Sequence, residues 1–195
     1  MWTWVVIGLV VVVFLAWYLS FSAARLDRLH HRVEGTRATL DAQLVRRAEA
    51  AIELATSGLL DPASGLLVAG AASDALTAGE LEQPGDAAKA ADREIAESDL
   101  SQALDVALGE DSVADARLTG QGLQLLERLQ SVCNRVQLAR RFHNQAVADA
   151  QRVRRKRVVR WARLAGRAEL PQTFEMDDDP PAALAQVPAA GTAPA

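Results

Sequence analysis

The sequence has one cysteine, three histidines and no phosphate-binding loop, and each shortage argues against a class of function. The single cysteine, Cys133, excludes an intramolecular disulfide and any metal site built from several cysteines. No GxxxxGK[ST] motif occurs, so the sequence offers no P-loop for a nucleotide phosphate. We therefore expect no catalytic residues, no metal, no cofactor and no small-molecule substrate.

The three histidines stand at positions that favour packing over metal binding. His30 and His31 are adjacent, so on a helix their side chains point about 100° apart and cannot both face one ligand well. His143 lies on the apolar stripe of the last predicted helix, which favours a core histidine hydrogen-bonded to a neighbouring helix; zinc would need further converging ligands. Cys133 is about 15 Å from His143 along a helix, and we interpret it as a small, partly buried hydrophobe.

The net charge of −4 hides two segments of opposite charge. Between residues 80 and 115 many acids are opposed only by Lys89 and Arg93. Between residues 116 and 167 the only acids are Glu127 and Asp149, among many arginines. Segments of opposite sign can pair within one fold, so the charge pattern indicates ionic contacts between helices.

The first 24 residues contain no charged side chain. Trp2 to Phe21 is about 20 residues, which at ~1.5 Å rise per residue spans the ~30 Å hydrocarbon core of a bilayer. Aromatic residues lie near both ends of this stretch, as in the aromatic belts of membrane helices. We predict a transmembrane anchor over residues 1–24, with membrane-spanning side chains that include Trp2, Trp4, Phe14, Trp17, Tyr18 and Phe21.

A cleaved signal peptide is the alternative interpretation of this segment, because Ser22-Ala23-Ala24 resembles a cleavage site. Against it, the segment has no Lys or Arg at its start, and its apolar run exceeds the usual ~7–15 residues. The positive-inside rule sets the orientation. It predicts the N-terminus outside and the remainder in the cytosol, because the first basic residues all follow the segment: Arg25, Arg28, Arg32 and Arg37.

The rest of the chain predicts an all-α fold, an antiparallel helical bundle over residues 25–168. The first helix continues from the anchor to about Ser57, and Asp61-Pro62 caps and starts the second. Gly109 to Gly122 is a polar connection with room for a short turn. The other helices span about 63–78, about 86–108 and from about 123 onward. The acidic, then Pro/Ala-rich tail over 169–195 predicts disorder.

Apolar residues at three- and four-residue steps give the core-facing positions. In the first helix they are Leu26, Leu29, Val33, Leu40, Leu44, Ala48, Ala51 and Ala55. In the third they are Ile95, Leu100, Leu104 and Leu108. In the last they are Leu125, Leu129, Val132, Val136, Ala139, His143, Val147 and Ala150.

Two blocks, LHHRVEGTRATLDAQLVRRAE at 29–49 and LLERLQSVCNRVQLARRFHNQAV at 125–147, resemble the first and last soluble helices of the LemA family of small bacterial membrane proteins. ESDLSQAL at 97–104 and TFEMDD at 173–178 are weaker similarities. The resemblance implies a LemA-like helical bundle on an N-terminal helix in the bacterial cytoplasmic (inner) membrane, and it carries no catalytic residues. The family-matching polar positions are Arg46, Arg47, Asn134, Arg135, Arg140 and Asn144.

These matching positions have two interpretations. Arg46, Arg47, Arg140 and Asn144 can line a binding groove, or the arginines can pair with acids of the third helix such as Glu97 and Asp99. We favour pairing, because helical bundles commonly carry such ion pairs. The sequence also departs from the family: His143 and Cys133 replace its usual Tyr and Glu, and the usual Phe-Pro and Asn-Leu-Val motifs are missing.

The stretch RVRRKRVVRWARLAGR at 152–167 follows the last helix and is amphipathic, with basic residues on one side. A helix on an anionic membrane surface, a solvated helix end and a nucleic-acid patch are the three interpretations. In an antiparallel bundle the last helix returns toward the anchor, which favours the membrane over nucleic acid. The candidate contacts with anionic lipid are Arg152, Arg155, Lys156, Arg160, Trp161, Arg163 and Arg167.

Together these patterns predict a single-pass membrane protein whose bundle is a non-enzymatic interaction or scaffold module at the cytoplasmic face. Its expected partners are the membrane, anionic lipid and a protein that the sequence does not identify, and nucleic acid is not expected. An accessory subunit of a membrane enzyme complex, such as a quality-control protease, is one alternative. An exported protein with a cleaved signal peptide is the other.

Overall fold

The computed structural model describes residues 1–83, 85–155 and 170–186, with every side chain in these ranges except those at 11, 15, 19, 22, 23, 185 and 186. Within them the chain forms helices and no strand, which confirms the all-α prediction. The helices are α1 (Trp2–Thr56), α2 (Pro62–Leu81), α3 (Ala87–Ala107), α4 (Glu110–Arg117), α5 (Gly120–Arg154) and a short 3-10 helix (Ala182–Gln186).

The break between α1 and α2 follows the local signals in the sequence. Gly58 has φ of +79°, a left-handed conformation that glycine adopts without a steric penalty. Asp61 is the N-cap of α2, and its Oδ1 accepts hydrogen bonds from the backbone amides of Ala63 at 3.0 Å and Ser64 at 3.2 Å. Pro62 occupies the first helical position, where its missing N–H costs nothing. The predicted cap and start of this helix are confirmed.

Residues 110–117 form the helix α4, where the sequence predicted a polar connection with at most a short turn. Glu110 and Asp111 lie in its first turn and Arg117 in its last, which complements the helix dipole. Val113 and Ala116 are buried in the core. A helix of eight residues is too short to show a clear apolar period in the sequence. Helices of this length are marginal by themselves, so the burial of Val113 and Ala116 is what stabilises the helical conformation of α4.

The connection from α4 to α5 requires glycine at Gly122. A Cβ atom there would lie 2.1 Å from the backbone oxygen of Ala116, far inside any real contact. The absence of a side chain therefore lets the start of α5 approach the end of α4. Helix α5 begins at Gly120, three residues before the predicted start at Leu123.

The chain divides into two compact units, and α1 and α5 each run through both. Unit 1 comprises Met1–Arg37 and Phe142–Thr173, and unit 2 comprises Ala38–Arg141 and Phe174–Ala195. The predicted division into an anchor at 1–24, a bundle at 25–168 and a tail at 169–195 stays a prediction.

The core of unit 2 combines leucines with many alanines. The predicted stripe positions Leu40, Leu44, Leu100 and Leu129 are all buried, which confirms the helical periods. Ile95 is wrong as a core position, since 60% of it is exposed. Small residues let helices approach closely, because the interaxial distance depends on the side chains at the contact. The alanines that α1 to α4 contribute to the larger cluster of this core are Ala48, Ala50, Ala51, Ala72, Ala75, Ala103, Ala107 and Ala116.

Unit 1 has a smaller core, in which Leu26 and Val153 pack together with Leu29 beside them. Ala146, Val147 and Ala150 of α5 are also buried. The large apolar side chains that the structure describes before Leu26 are exposed: Met1, Trp2, Trp4, Val5, Val6, Ile7, Leu9, Val10, Val12, Val13, Phe14, Trp17, Tyr18 and Phe21. None of the helices, as far as the described residues go, is long and apolar enough to cross a membrane.

The segment from Phe174 to Leu184 is ordered against the helices of unit 2, which corrects the prediction of disorder for this part of the tail. Phe174 is 1% exposed and Leu184 is fully buried. The composition of the tail is too polar to build a core of its own. It does not need one, because these two side chains enter the core formed by the helices. Residues 169 and 187–195 of the predicted tail lie outside the described residues.

Candidate functional site

A buried ionic network lies at the centre of unit 2. Arg47 of α1 donates from Nη2 to Glu97 Oε2 at 2.6 Å and to the Glu97 backbone oxygen at 2.7 Å. Its Nη1 donates to Ser101 Oγ at 2.9 Å. The Arg47 and Glu97 side chains are 3% and 2% exposed. Their pairing ties α1 to α3 and confirms the pairing interpretation for Arg47.

A second buried arginine, Arg93 of α3, extends this network. Its Nη1 lies 2.5 Å from Glu82 Oε2 and 3.0 Å from Asp41 Oδ1. Its Nε lies 4.0 Å from Glu97 Oε1. Two arginines therefore face three carboxylates, which compensates most of the buried charge. Such a network adds little net stability over apolar packing, but it strongly disfavours any arrangement that separates its members.

The segment Phe174–Leu184, which we call the strap, is held by one apolar anchor near each end. Phe174 packs with Leu40 and Leu44 of α1 and with Val136 and Ala139 of α5. Leu184 belongs to the larger core cluster of unit 2. Between these anchors the side chains of Glu175, Asp177 and Asp179 are exposed.

The strongest polar contact of the strap is a two-point hydrogen bond from Arg140 to Asp178. Arg140 Nε lies 2.6 Å from Oδ2 and Nη2 lies 2.8 Å from Oδ1. This hydrogen bond is the main cause of a raised pKa for Arg140, and the nearby carboxylate of Glu175 adds to the effect. Parallel hydrogen bonds of this kind fix both the position and the orientation of a carboxylate.

Most other polar contacts of the strap are made to its backbone. On the α3 side, Glu94 Oε1 accepts from the Glu175 amide at 2.8 Å and Ser98 Oγ accepts from the Asp177 amide at 3.1 Å. Ser101 Oγ donates to the Asp177 oxygen at 2.6 Å. Because Ser101 also accepts from Arg47, the buried network is linked to the strap.

The α5 side holds the strap in the same manner. Gln137 Nε2 donates to the Asp178 oxygen at 3.0 Å, and Gln130 Nε2 donates to the Leu184 oxygen at 2.8 Å. We call the surface that receives the strap the strap groove. Its polar side chains are Glu94, Ser98 and Ser101 of α3 and Gln130, Gln137 and Arg140 of α5.

The family-matching polar positions do not form one surface. Arg46, Asn134 and Arg135 are exposed, whereas Arg47 is buried and Arg140 and Asn144 are half-buried. The pairing predicted with the acids of α3 is confirmed for Arg47 and wrong for Arg140, whose carboxylate partners lie in the strap. Asp99, the other predicted acid, is exposed. Asn144 belongs to unit 1.

His143 and Cys133 occupy the structural roles that the sequence favoured. His143 is 3% exposed, and its Nδ1 lies 3.4 Å from Thr36 Oγ1, which confirms a core histidine hydrogen-bonded to another helix. His31 is exposed beside Asp27 and Glu34. Burial raises the pKa of the Cys133 thiol, although the charge of Arg47 opposes the shift. Among the described residues no group of acids, His and Cys is arranged to hold a metal ion.

The basic stretch after α5 is described only at its start. Arg152 and Arg155 are exposed, and they contact Asp149 at 3.5 Å and Gln151 at 3.1 Å on the same helix turn or the next. Exposed contacts of this kind contribute little energy, so both side chains can exchange them for another partner. Lys156, Arg160, Trp161, Arg163 and Arg167 lie outside the described residues.

Sequence reasoning missed the strap groove, although a signal for it was present. The α3 side chains at 94, 98 and 101 stand at helical spacing, as do those of α5 at 130, 137 and 140. A polar stripe of this spacing predicts one face of a helix, but it does not say what that face contacts. TFEMDD, noted only as a weak family similarity, contains the Phe and the Asp that occupy the groove.

No family model, curated protein or solved structure matches the chain. The resemblance to the LemA family therefore gains no support from these comparisons and stays a prediction.

Proposed function

We propose that the protein is a single-pass, membrane-anchored interaction module without enzymatic activity, whose helical bundle lies at the cytoplasmic face of a bacterial inner membrane. One observation carries the proposal. The sequence of residues 1–24 is free of charge over its full length, including the five positions whose side chains lie outside the described ones. The described side chains of this helical segment are exposed, and Leu26 is the first buried residue among them. An exposed apolar surface of this size indicates a contact with lipid or another apolar surface.

The end of α5 supports the proposal further, because it lies within unit 1 beside the first residues after the apolar segment. Val153 packs against Leu26. The basic stretch at 152–167 therefore begins near the end of the apolar segment. We propose that its basic side chains contact anionic lipid, where each contributes roughly 1 kcal/mol at the surface of the cytoplasmic leaflet.

Alkaline carbonate extraction of cells that express the full chain tests the anchor. We expect the native chain to stay in the membrane fraction and the Val10→Asp/Val13→Asp variant to be released, because a charge at the centre of a membrane helix costs about 2.5–3.5 kcal/mol. Val45→Asp, on the exposed part of α1 in unit 2, is the matched control and should stay with the membrane. Release of the native chain would contradict the anchor.

Mass spectrometry of the mature N-terminus separates an anchor from a signal peptide. We expect the apolar segment to be retained, and a mature chain that begins at Arg25 would favour the exported alternative. Orientation is tested by labelling whole cells with a membrane-impermeant maleimide. Thr3→Cys should react from outside and Ser73→Cys should not, and the reverse pattern would contradict the proposed orientation.

The lipid contact is tested by trypsin cleavage of the full chain in nanodiscs. We expect cleavage within 152–167 to be slower in anionic than in neutral nanodiscs at low salt, with the difference lost at high salt because the attraction is screened. Equal cleavage in both lipids would contradict the contact. The cleavage rate after Arg46, an exposed arginine of unit 2, is the internal control.

A further inference from the structure

Most hydrogen bonds between the strap groove and its occupant are made to the backbone of the occupant. Side chains of α3 accept from the amides of Glu175 and Asp177, and side chains of α3 and α5 donate to the backbone oxygens of Asp177, Asp178 and Leu184. Contacts of this kind recognise a chain conformation and tolerate changes of side chain. Peptide-binding proteins combine such backbone contacts with a few side-chain pockets that give specificity.

Two features of the groove select side chains. The first is the apolar site of Leu40, Leu44, Val136 and Ala139, which receives an aromatic ring. The second is the guanidinium of Arg140, which receives a carboxylate through two hydrogen bonds. In the strap these two groups are four residues apart, at 174 and 178. The groove therefore fits a non-helical segment with an aromatic residue and, four positions later, an acidic one.

The strap is also built so that it can leave the groove without the helices unfolding. It has no regular secondary structure before the 3-10 helix. Its polar contacts with the groove are part-buried or exposed, whereas the Arg47–Glu97 pair beneath them is fully enclosed. Opening the strap must expose its buried anchors, Phe174 and Leu184, but it leaves the helices and their enclosed ion pair in place. Local openings of this kind cost less free energy than global unfolding does.

We propose that the strap groove is a recognition site for a partner protein segment of this chemistry, and that the strap is the internal competitor which the partner displaces. The inference rests on the proposed interaction role and names the class of partner. As part of the same chain, the strap has a high effective concentration at the groove. The apparent affinity of a partner is therefore its affinity for the open groove multiplied by the fraction of molecules whose groove is open.

Binding of a labelled peptide to the full chain tests the proposal. The probe is QTFEMDDDPPAALAQ, the sequence of residues 172–186 with a fluorophore at its N-terminus. The receptor is the full-length Phe174→Ala/Asp178→Asn variant, in which the strap is weakened and every side chain of the groove is intact. We expect this variant to bind the peptide about tenfold or more tightly than the native chain does.

Two controls fix the interpretation of the peptide experiment. Arg140→Gln added to the weakened-strap variant should reduce the affinity, since it removes the carboxylate site. A peptide that carries alanine and asparagine in place of its Phe and Asp should bind much more weakly. Equal binding of both peptides, or no binding of the native peptide to the folded variant, would overturn the proposal.

Hydrogen exchange of the native chain is a second test, and it does not require the weakened-strap variant to fold. We expect the amides of Glu175 and Asp177 to exchange much faster than the central amides of α3 and α5, because the strap opens by itself. Exchange of the strap only together with these helices would show that it cannot be displaced, and would overturn the proposal. Neither peptide binding nor hydrogen exchange depends on the membrane. A negative result for the strap groove is therefore distinguishable from a failure of the proposed membrane anchor.

Discussion

Two arginine–glutamate ion pairs of unit 2 have nearly the same N···O distance, but one pair is buried and the other is exposed. Arg47 Nη2 lies 2.6 Å from Glu97 Oε2 with both side chains enclosed, and Arg128 Nη1 lies 2.5 Å from Glu53 Oε2 with side chains 54% and 45% exposed. Distance alone therefore says little about energy. Water screens the outer pair, whereas the inner pair has replaced its hydration with the protein and cannot lose one member without penalty.

The largest effect should come from breaking the inner pair. We expect Arg47→Met to lower the free energy of unfolding by about 3–5 kcal/mol, because it leaves Glu97 buried with less compensation. The measurement is pulsed thiol labelling of Cys133, which is 5% exposed and reports when the core of unit 2 opens in urea. The double variant Arg47→Met/Glu97→Leu should recover most of the loss. A loss that stays the same in the double variant would refute this account.

A smaller effect should follow from Arg140→Gln, which removes the two-point hydrogen bond to Asp178. The Arg140 side chain is 20% exposed, and hydrogen bonds to charged groups contribute about 1.5–3 kcal/mol, so we expect a loss near the lower figure. Since the pKa of Arg140 is raised, its contribution is present at every pH below the usual arginine range. It is lost only as the pH rises through the raised pKa. The same thiol labelling measures the loss, and an unchanged midpoint would contradict it.

The outer pair should contribute still less. We expect Arg128→Gln to change the free energy of unfolding by less than about 1 kcal/mol, with a further decrease at high salt. A double-mutant cycle with Glu53→Gln gives the coupling energy of the pair. A coupling as large as that of Arg47 with Glu97 would show that burial does not separate the two pairs.

The smallest effect should be a pH dependence at the start of α2. Hydrogen bonds from Ser64 lower the pKa of Asp61, with the side-chain hydrogen bond as the largest cause. Asp61 is fully exposed. Because the pKa of Asp61 is lowered, the stabilisation that its carboxylate gives to α2 is present above the usual carboxyl range. This stabilisation is lost as the pH falls through the lowered pKa. The protection factor of the Ser64 amide, which compares its exchange rate with that of an unstructured chain at the same pH, should fall at low pH in the native chain, whereas Asp61→Asn should not show that dependence. Identical pH profiles would contradict this role.

The sequence predicts the parts of this molecule that depend on local spacing. The end of α1, the start of α2, the bounds of α3, the Asp61 cap and the buried faces of α1 and α5 follow from apolar periods and capping residues. The predicted end of α2 at about residue 78 is wrong, because the helix continues to Leu81. The Arg47–Glu97 pair was among the predicted alternatives because opposite charges lay on neighbouring helices. These features need no knowledge of the tertiary arrangement beyond the adjacency of helices.

The features that the sequence did not predict depend on contacts between distant residues. Arg93 contacts Glu82 and Asp41, which come from different parts of the chain, and no spacing rule links them. Ile95 fits the helical period but faces solvent. The strap has too few apolar residues to predict order. It is ordered because the helices supply the surroundings for Phe174 and Leu184, and a composition rule considers only the segment itself.

The position of the strap in the chain also bears on how the protein is made. Synthesis runs from the N-terminus, and domains generally fold as units once their residues are available. All five α-helices of the described chain precede Phe174 and Leu184, two side chains that belong to the core clusters of unit 2. During translation the helices of unit 2 must therefore exist for a time with both sites unfilled. In that interval the groove is open to any chaperone or partner segment of matching chemistry near the ribosome.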